Sequence, residues 1–299
     1  MKFLQPIELR RQDCASPARG PMPVSPFVNL YAKVTAGCNA RCPFCCNAMM
    51  PPEGSDWDVD KLFDIIRELE NQGIKVTRLM VTGGEPALVP ERVERIIERL
   101  NETDFFHIHA QLNTNGLLPA SQHIMRHERW DYISVSMHHY DLHRLSELYS
   151  TVIPDHALDF HHINRQKMNV SCNLIRGYID SPAEARKVME KTIQLGISRL
   201  GFVALLPMNE WCNQHFVPLD SIGLEEMSDL MPTFHKWDLA SDQPEAAPLC
   251  ECRNFLYGTA EQPLNIYIRY KSTPNHCPSL LSYDGQHLHQ GFGNDNIII

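Results

Sequence analysis

Three thiols fall within eight residues. Cys38-Asn39-Ala40-Arg41-Cys42-Pro43-Phe44-Cys45 sets them at C-x3-C-x2-C spacing, directly after an apolar run. Thiolates are the usual holders of iron–sulfur clusters. Three thiolates on a four-iron cluster leave one iron without a protein ligand, and an open coordination position separates a catalytic metal centre from a structural one. Zinc usually takes paired two-cysteine knuckles, and no second pair completes this one nearby; cysteines holding no metal are the remaining alternative. Further along, Thr82-Gly83-Gly84-Glu85-Pro86 follows a second apolar run. Its paired glycines let a ligand approach the backbone where side chains would block it.

Periodicity gives the elements that must position these loops. Residues 27–35 read as a strand that delivers the cysteine loop. Val59, Leu62, Phe63, Ile66 and Leu69 recur at helical spacing, and Gly73 ends that helix. Residues 76–81 form the second strand, and Val93, Ile96, Ile97 and Leu100 mark the second helix. A third strand over residues 106–112 runs into the turn Asn113-Thr114-Asn115-Gly116, followed by a short helix over 121–129. The fourth strand, 132–137, ends at His138 and His139, with a helix over 142–149 and a fifth strand over 170–175. Ser181-Pro182-Ala183-Glu184 has the form of a capping box with proline in the first helical position. A sixth strand covers 200–206. Six strand–helix alternations imply parallel strands with right-handed crossovers. In such barrels the chemistry sits beyond the strands' C-terminal ends, where every motif above falls. Beyond the barrel, residues 224–237 read as helical and 264–270 as a strand. Cys250, Cys252 and Cys277 bracket that strand, and Tyr283-Asp284-Gly285-Gln286 has turn chemistry.

Composition excludes several classes. At 299 residues and 43 % hydrophobic content the chain can bury a substantial core. It has no apolar run of the ~20 residues that span a bilayer. The N-terminal stretch has no apolar signal-peptide centre, so the ten cysteines read as metal ligands in a reducing cytoplasm. A net charge of −9 argues against a non-specific nucleic-acid binder and leaves a small nucleotide or a basic peptide open as substrate.

The cysteine triad, Phe44 before its last cysteine, and the Gly-Gly-Glu-Pro turn together resemble the radical S-adenosylmethionine (SAM) superfamily. The resemblance covers about residues 27 to 210. It implies an α/β fold, an open six-stranded (β/α)6 partial TIM barrel with a small cysteine-containing C-terminal extension. The expected division is an N-terminal arm (1–25), a core barrel (26–212) and the extension (213–299). It implies that Cys38, Cys42 and Cys45 hold a [4Fe-4S] cluster that cleaves SAM reductively to a 5′-deoxyadenosyl radical, which abstracts hydrogen from an unactivated carbon. Phe44 would lie near the adenine, the Gly83-Gly84-Glu85 turn would bind the methionyl amino group, Ser136 would contact SAM, and the backbone at Leu206 would line the adenine pocket. Electrons would come from a partner such as flavodoxin or ferredoxin. The tail is similar to that of the branch with a SPASM/twitch-like extension, which implies that Cys250, Cys252 and Cys277 hold an auxiliary iron–sulfur cluster. Zinc with His276, or no metal, are the alternatives there.

Candidate substrate residues lie on the same rim. His138 and His139, with His143 just beyond, can exchange protons near neutral pH. Arg176 stands where relatives of the molybdenum-cofactor cyclase contact substrate phosphate, and Cys212 can donate a hydrogen atom to a substrate radical. Cys46 reads as a small buried thiol. The stretch Leu79-Met80-Val81 lacks the arginine that the cyclase carries, only Arg253 follows the second tail cysteine, and the chain ends in three isoleucines. These differences argue against GTP cyclisation. With Cys38 so near Met1, no leader-binding domain of the kind found in peptide-modifying relatives is expected. The expectation is a cytoplasmic enzyme acting on a ribosomally made peptide or a small metabolite, with a nucleotide or cofactor-biosynthesis intermediate as the alternative substrate. The rival from another class is an iron–sulfur electron carrier or redox sensor.

Overall fold

The structure, a computed structural model, describes residues 26–49, 57–218, 222–223, 231–233, 253–269, 280–291 and 297–298. The first part alternates strand and helix. In order it runs β1 (Phe27–Lys33), α1 (Val59–Asn71), β2 (Lys75–Thr82), α2 (Pro90–Leu100), β3 (His109–Thr114), α3 (Pro119–Met125), β4 (Tyr132–Ser136), α4 (Leu142–Tyr149), β5 (Met168–Leu174), α5 (Pro182–Gln194), β6 (Arg199–Ala204) and α6 (Glu210–Gln214). Five strands follow: β7 (Met231–Thr233), β8 (Arg253–Gly258), β9 (Pro263–Arg269), β10 (Leu280–Tyr283) and β11 (Leu288–Gln290). All belong to one sheet in the order β11-β10-β1-β2-β3-β4-β5-β6-β9-β8-β7.

From β10 across to β9 every neighbouring pair is parallel. The six strands expected from the alternation are therefore present and consecutive. The tail adds a parallel strand at each edge: β9 beside β6, and β10 beside β1. Each edge is finished by antiparallel pairing, β11 on β10 and β8 on β9. Among the described residues no helix is long and apolar enough to cross a membrane.

Two faces of the sheet do different work. Val28, Leu30 and Ala32 on β1, Leu79 and Val81 on β2, and Ile133 and Val135 on β4 are buried with helix residues such as Leu62, Ile66, Ile96 and Leu145 in one large core. Each buried Val, Leu or Ile side chain contributes roughly 1.5–3 kcal/mol, so this outer face drives assembly. The alternate positions point the other way, because successive strand residues face opposite sides. There Tyr31, Met80 and Leu280 form a small separate cluster. Register carries that inner face around the sheet through Lys33, Thr82, Gln111, Asn113, Ser134, Ser136, Asn169, Ser171, Asn173 and Ser282. The lumen wall is polar.

The helix boundaries follow local chemistry. Asp58, Asp141 and Ser181 cap α1, α4 and α5, each accepting from a backbone N–H of the first turn. Three sequence expectations need correction. The third strand starts at His109, since residues 102–108 form turns in which Phe105 is buried and Phe106 exposed. Within the stretch read as helical, Met231–Thr233 is a strand, because it pairs antiparallel with β8; the other residues of that stretch lie outside the described ones. The short helix α6 was not foreseen; Asn209 starts it by accepting from the Cys212 N–H at 2.8 Å.

Candidate active site

β1 ends against β2 and releases the cysteine loop at the C-terminal end of the sheet. The loop is pinned by its backbone: Arg41 N donates to the Tyr149 carbonyl at 2.8 Å and Cys45 N to the Cys42 carbonyl at 3.2 Å. Asn209, in the loop after β6, donates from Nδ2 to the Pro43 carbonyl at 2.8 Å. The Cys38 sulfur accepts from Ala40 N at 3.4 Å and from Asn115 Nδ2 at 3.8 Å. Donors aimed at sulfur favour the thiolate.

Electrostatics of the triad favour a cationic occupant. Burial, then the neighbouring Cys45 and Cys38, push the Cys42 thiol up to about 12. Bare, Cys38 and Cys42, both raised by burial, would hold their protons; beside a positively charged metal group they lose them. Zinc fits the spacing poorly. The three sulfurs are not among the ligand groups that converge within 4.8 Å. A tetrahedral ion with Zn–S near 2.3 Å would draw its thiolates to roughly 3.8 Å apart. A multi-iron cluster spreads them more widely, so the donor set fits [4Fe-4S].

The Gly-Gly-Glu-Pro turn lies directly behind this loop. Gly84 N donates to the Thr35 carbonyl at 2.7 Å and Glu85 N to the Gly37 carbonyl at 2.8 Å. A Cβ on Gly84 would lie 1.8 Å from the Gly37 oxygen, and one on Gly83, whose φ is +144°, 2.4 Å from the Thr35 oxygen. The close approach that the glycines permit is thus to the chain's own backbone at the root of the cysteine loop. Glu85 is fully buried. Its Oε1 accepts from Ala87 N at 3.1 Å and from the Thr114 hydroxyl at 2.6 Å, and its Oε2 from Asn115 N at 2.8 Å. Burial raises its pKa and the three donors pull it back. Both carboxylate oxygens are engaged, so Glu85 ties the turn to the end of β3. The Gly83 carbonyl accepts from Asn47 Nδ2.

The other expected residues distribute around the rim. Ser136 ends β4 on the inner face, and its carbonyl accepts from the Tyr149 hydroxyl at 2.8 Å. His138 is buried with its ring edge-to-face on Phe44, centroids 4.9 Å apart. Its Nδ1 accepts from Asn173 N at 3.0 Å, which places the ring proton on Nε2. Burial lowers its pKa to about 3, so at neutral pH it is a neutral donor and not a general base. His139 is committed to the start of α4: its Nδ1 accepts from Asp141 N at 3.0 Å and its ring stacks on Tyr140. His143 is exposed and pairs with Glu147 on the surface of α4. Arg176 is exposed and donates to the Phe216 carbonyl at 3.2 Å, clamping the segment after α6. Cys212 is 1 % exposed within the core, and burial raises its thiol pKa. Leu206 follows β6, its carbonyl accepting from Met208 N at 2.8 Å. Cys46 is partly buried at the start of a 3-10 turn. Cys250, Cys252 and Cys277 lie outside the described residues.

Sequence reasoning passed over Asn47, Asn115, Asn209 and Tyr149, which hold the cysteine loop in place. One signal was available: alternate polar residues in the stretch His109-Ala110-Gln111-Leu112-Asn113 mark a wet inner face.

Comparison with known proteins agrees with this geometry. The family model described as the Radical SAM superfamily matches residues 32–211. The 7-carboxy-7-deazaguanine synthase of Hyperthermus butylicus is 34% identical over 99 residues, 32% of this chain and 39% of that protein. The GTP 3′,8-cyclase of Xanthomonas campestris pv. campestris is 34% identical over 117 residues, 38% of this chain and 34% of that protein. The matched part thus spans between a third and two fifths of these relatives' length. Streptococcus suis SuiB bound to S-adenosylmethionine superposes with TM-score 0.51 at 16% identity, covering 62% of this chain and 42% of SuiB. A radical SAM methyltransferase from Sphaerobacter thermophilus superposes with TM-score 0.50 at 20% identity, covering 66% of this chain and 60% of that one. The sheet with its cysteine loop is that of a SAM-dependent iron–sulfur enzyme. This chain belongs to the radical SAM superfamily, and its cofactors are a [4Fe-4S] cluster and SAM.

Proposed function

We propose that this enzyme uses the radical derived from SAM to abstract hydrogen from an unactivated carbon of a small polar metabolite, nucleotide-like molecules included. The observation that supports this reading is the lumen wall, which carries hydroxyl and amide side chains on strand after strand at the inner-face positions. Such groups orient a polar ligand by hydrogen bonds, and orientation decides which C–H bond a radical meets. A peptide threading the same lumen is the second substrate class.

Bound together, the cluster and SAM supply a 5′-deoxyadenosyl radical on one-electron reduction. Cys38, Cys42 and Cys45 would hold the cluster. Phe44, seated between His138 and Trp211 with centroids 4.9 and 5.7 Å away, offers an aromatic face beside the loop. The backbone of the Gly83-Gly84-Glu85 turn, Ser136 and the segment at Leu206 line the part of the rim where SAM would lie. His138 donates a hydrogen bond from Nε2 to cofactor or substrate. Arg176 and His139 act by shaping the rim, and Cys212, if it serves as a hydrogen-atom donor, requires the loop after β6 to open. Electrons come from a small reducing protein such as flavodoxin or ferredoxin. Cys250, Cys252 and Cys277 would hold an auxiliary iron–sulfur cluster.

The test is anaerobic incubation of reconstituted protein with dithionite and SAM. Formation of 5′-deoxyadenosine is expected, with none from Cys42→Ala. Deuterium transfer into 5′-deoxyadenosine from labelled metabolite pools, against labelled peptides, then separates the substrate classes. An absence of 5′-deoxyadenosine from cluster-loaded protein would overturn the reading in favour of an electron carrier.

A further inference from the structure

The tail brings a second set of metal-ligating side chains to the rim, well separated in sequence from the cysteine loop. The hairpin joining β10 to β11 carries Asp284, His287 and His289, and one ligating atom from each lies within 4.8 Å of the others. Register fixes where they stand. Ser282 pairs with His289 across the hairpin and with Tyr31 on β1, so His289 belongs to the inner face; Asp284 follows two residues after Ser282 on that same face. β10 runs parallel to β1, so Asp284 emerges at the end where β1 releases the cysteines.

The hydrogen bonding fixes Asp284 against His289. Asp284 Oδ1 accepts from the backbone N–H of Gln286 and of His287, both at 2.8 Å, and Oδ2 lies 3.0 Å from His289 Nε2. His289 is 2 % exposed, and its Nδ1 has no hydrogen-bond partner among the described residues. An aspartate–histidine hydrogen bond alone accounts for Nε2. It does not account for the approach of His287, whose side chain, among the described residues, makes only a ring contact with His289 at 6.0 Å. Lys33 stands beside Asp284 on the next strand and is buried, so in the metal-free protein it shares the carboxylate's charge.

We infer that Asp284, His287 and His289 form a binding site for a divalent first-row metal ion. Two imidazoles and one carboxylate suit zinc or ferrous iron, and three protein ligands leave positions open. Those positions lie at the lumen rim, where water or an anionic oxygen of a substrate can complete the shell. The site does not depend on the cysteine loop or on SAM.

The experiment is Zn²⁺ titration of anaerobically cluster-loaded protein by calorimetry, with zinc K-edge absorption on the product. One zinc per chain is expected, with nitrogen and oxygen scatterers at about 2.0–2.1 Å and no sulfur near 2.3 Å. His287→Ala, whose side chain makes no hydrogen bond among the described residues, and His289→Gln should each weaken binding by about 10–100-fold or more. The variant lacking Cys38, Cys42 and Cys45 should show the same nitrogen- and oxygen-bound zinc whether or not the protein cleaves SAM. No zinc uptake by the cluster-loaded protein, a sulfur shell, or unchanged affinity in His287→Ala would each overturn the assignment.

Discussion

Replacing Glu85 tests how the site is held together. Its carboxylate satisfies Ala87 N, the Thr114 hydroxyl and Asn115 N from a fully buried position. In Glu85→Ala, the Ala87 and Thr114 donors lose their acceptor inside the protein, at about 1–3 kcal/mol each. The Asn115 N–H, partly reachable by water, adds less, and relief of the buried charge gives some back. The expected net cost is roughly 3–4 kcal/mol. Glu85→Gln keeps the two bonds at Oε1 but turns an amide NH2 toward Asn115 N–H, for about 1.5–2.5 kcal/mol. Asn115 also donates to Asn39 Oδ1 at 2.8 Å, so the loss spreads into the cysteine loop. Urea unfolding of the cluster-free proteins, followed by circular dichroism, reads the stability. Iron content after reconstitution reads the loop, and should fall further in Ala than in Gln. A cost below about 1 kcal/mol for Glu85→Ala, or a Gln variant weaker than the Ala variant, would refute this account.

Other expectations rest on separate features. Gly84→Ala places a methyl 1.8 Å from the Gly37 carbonyl oxygen, so at least ~3 kcal/mol of stability should go, with iron loading lost in parallel. His138 has its pKa lowered by burial to about 3, below the ordinary 6.5, so the unfolded chain binds the extra proton between those values. Stability should therefore fall as pH drops from 6.5 toward 3, by up to ~4 kcal/mol, and His138→Gln should flatten that slope in denaturation series across pH. Ser181→Ala removes the cap of α5 and should cost about 1 kcal/mol in urea unfolding.

Much of the barrel was legible because its signals are local. Apolar residues at helical spacing on α1 and α2, Gly73, and the Ser181 cap each announce an element without knowledge of its partners. The triad and the glycine turn were legible because their residue types carry the chemistry. What stayed hidden depends on pairing at long range. Nothing near Leu280 says that it will lie beside Asn29, nor near Asn265 that it will meet Arg199. The same holds for the site: Asn115 reads as a turn residue until the fold brings it to Cys38, and His138 as a base until Asn173 N fixes its tautomer. The reading of 224–237 failed at 231–233 because pairing with β8 overrides local spacing there.

The two tail strands that flank the barrel also set an order of events during synthesis. β1 leaves the ribosome about 250 residues ahead of β10, yet one of its two hydrogen-bonding edges is matched only by β10. Until then the first strand shows raw backbone to other nascent chains, a template for wrong pairing. Contacts this distant along the chain form slowly, so maturation waits for the tail. Cells making this enzyme under heat or at high rate would be expected to need a chaperone during that interval.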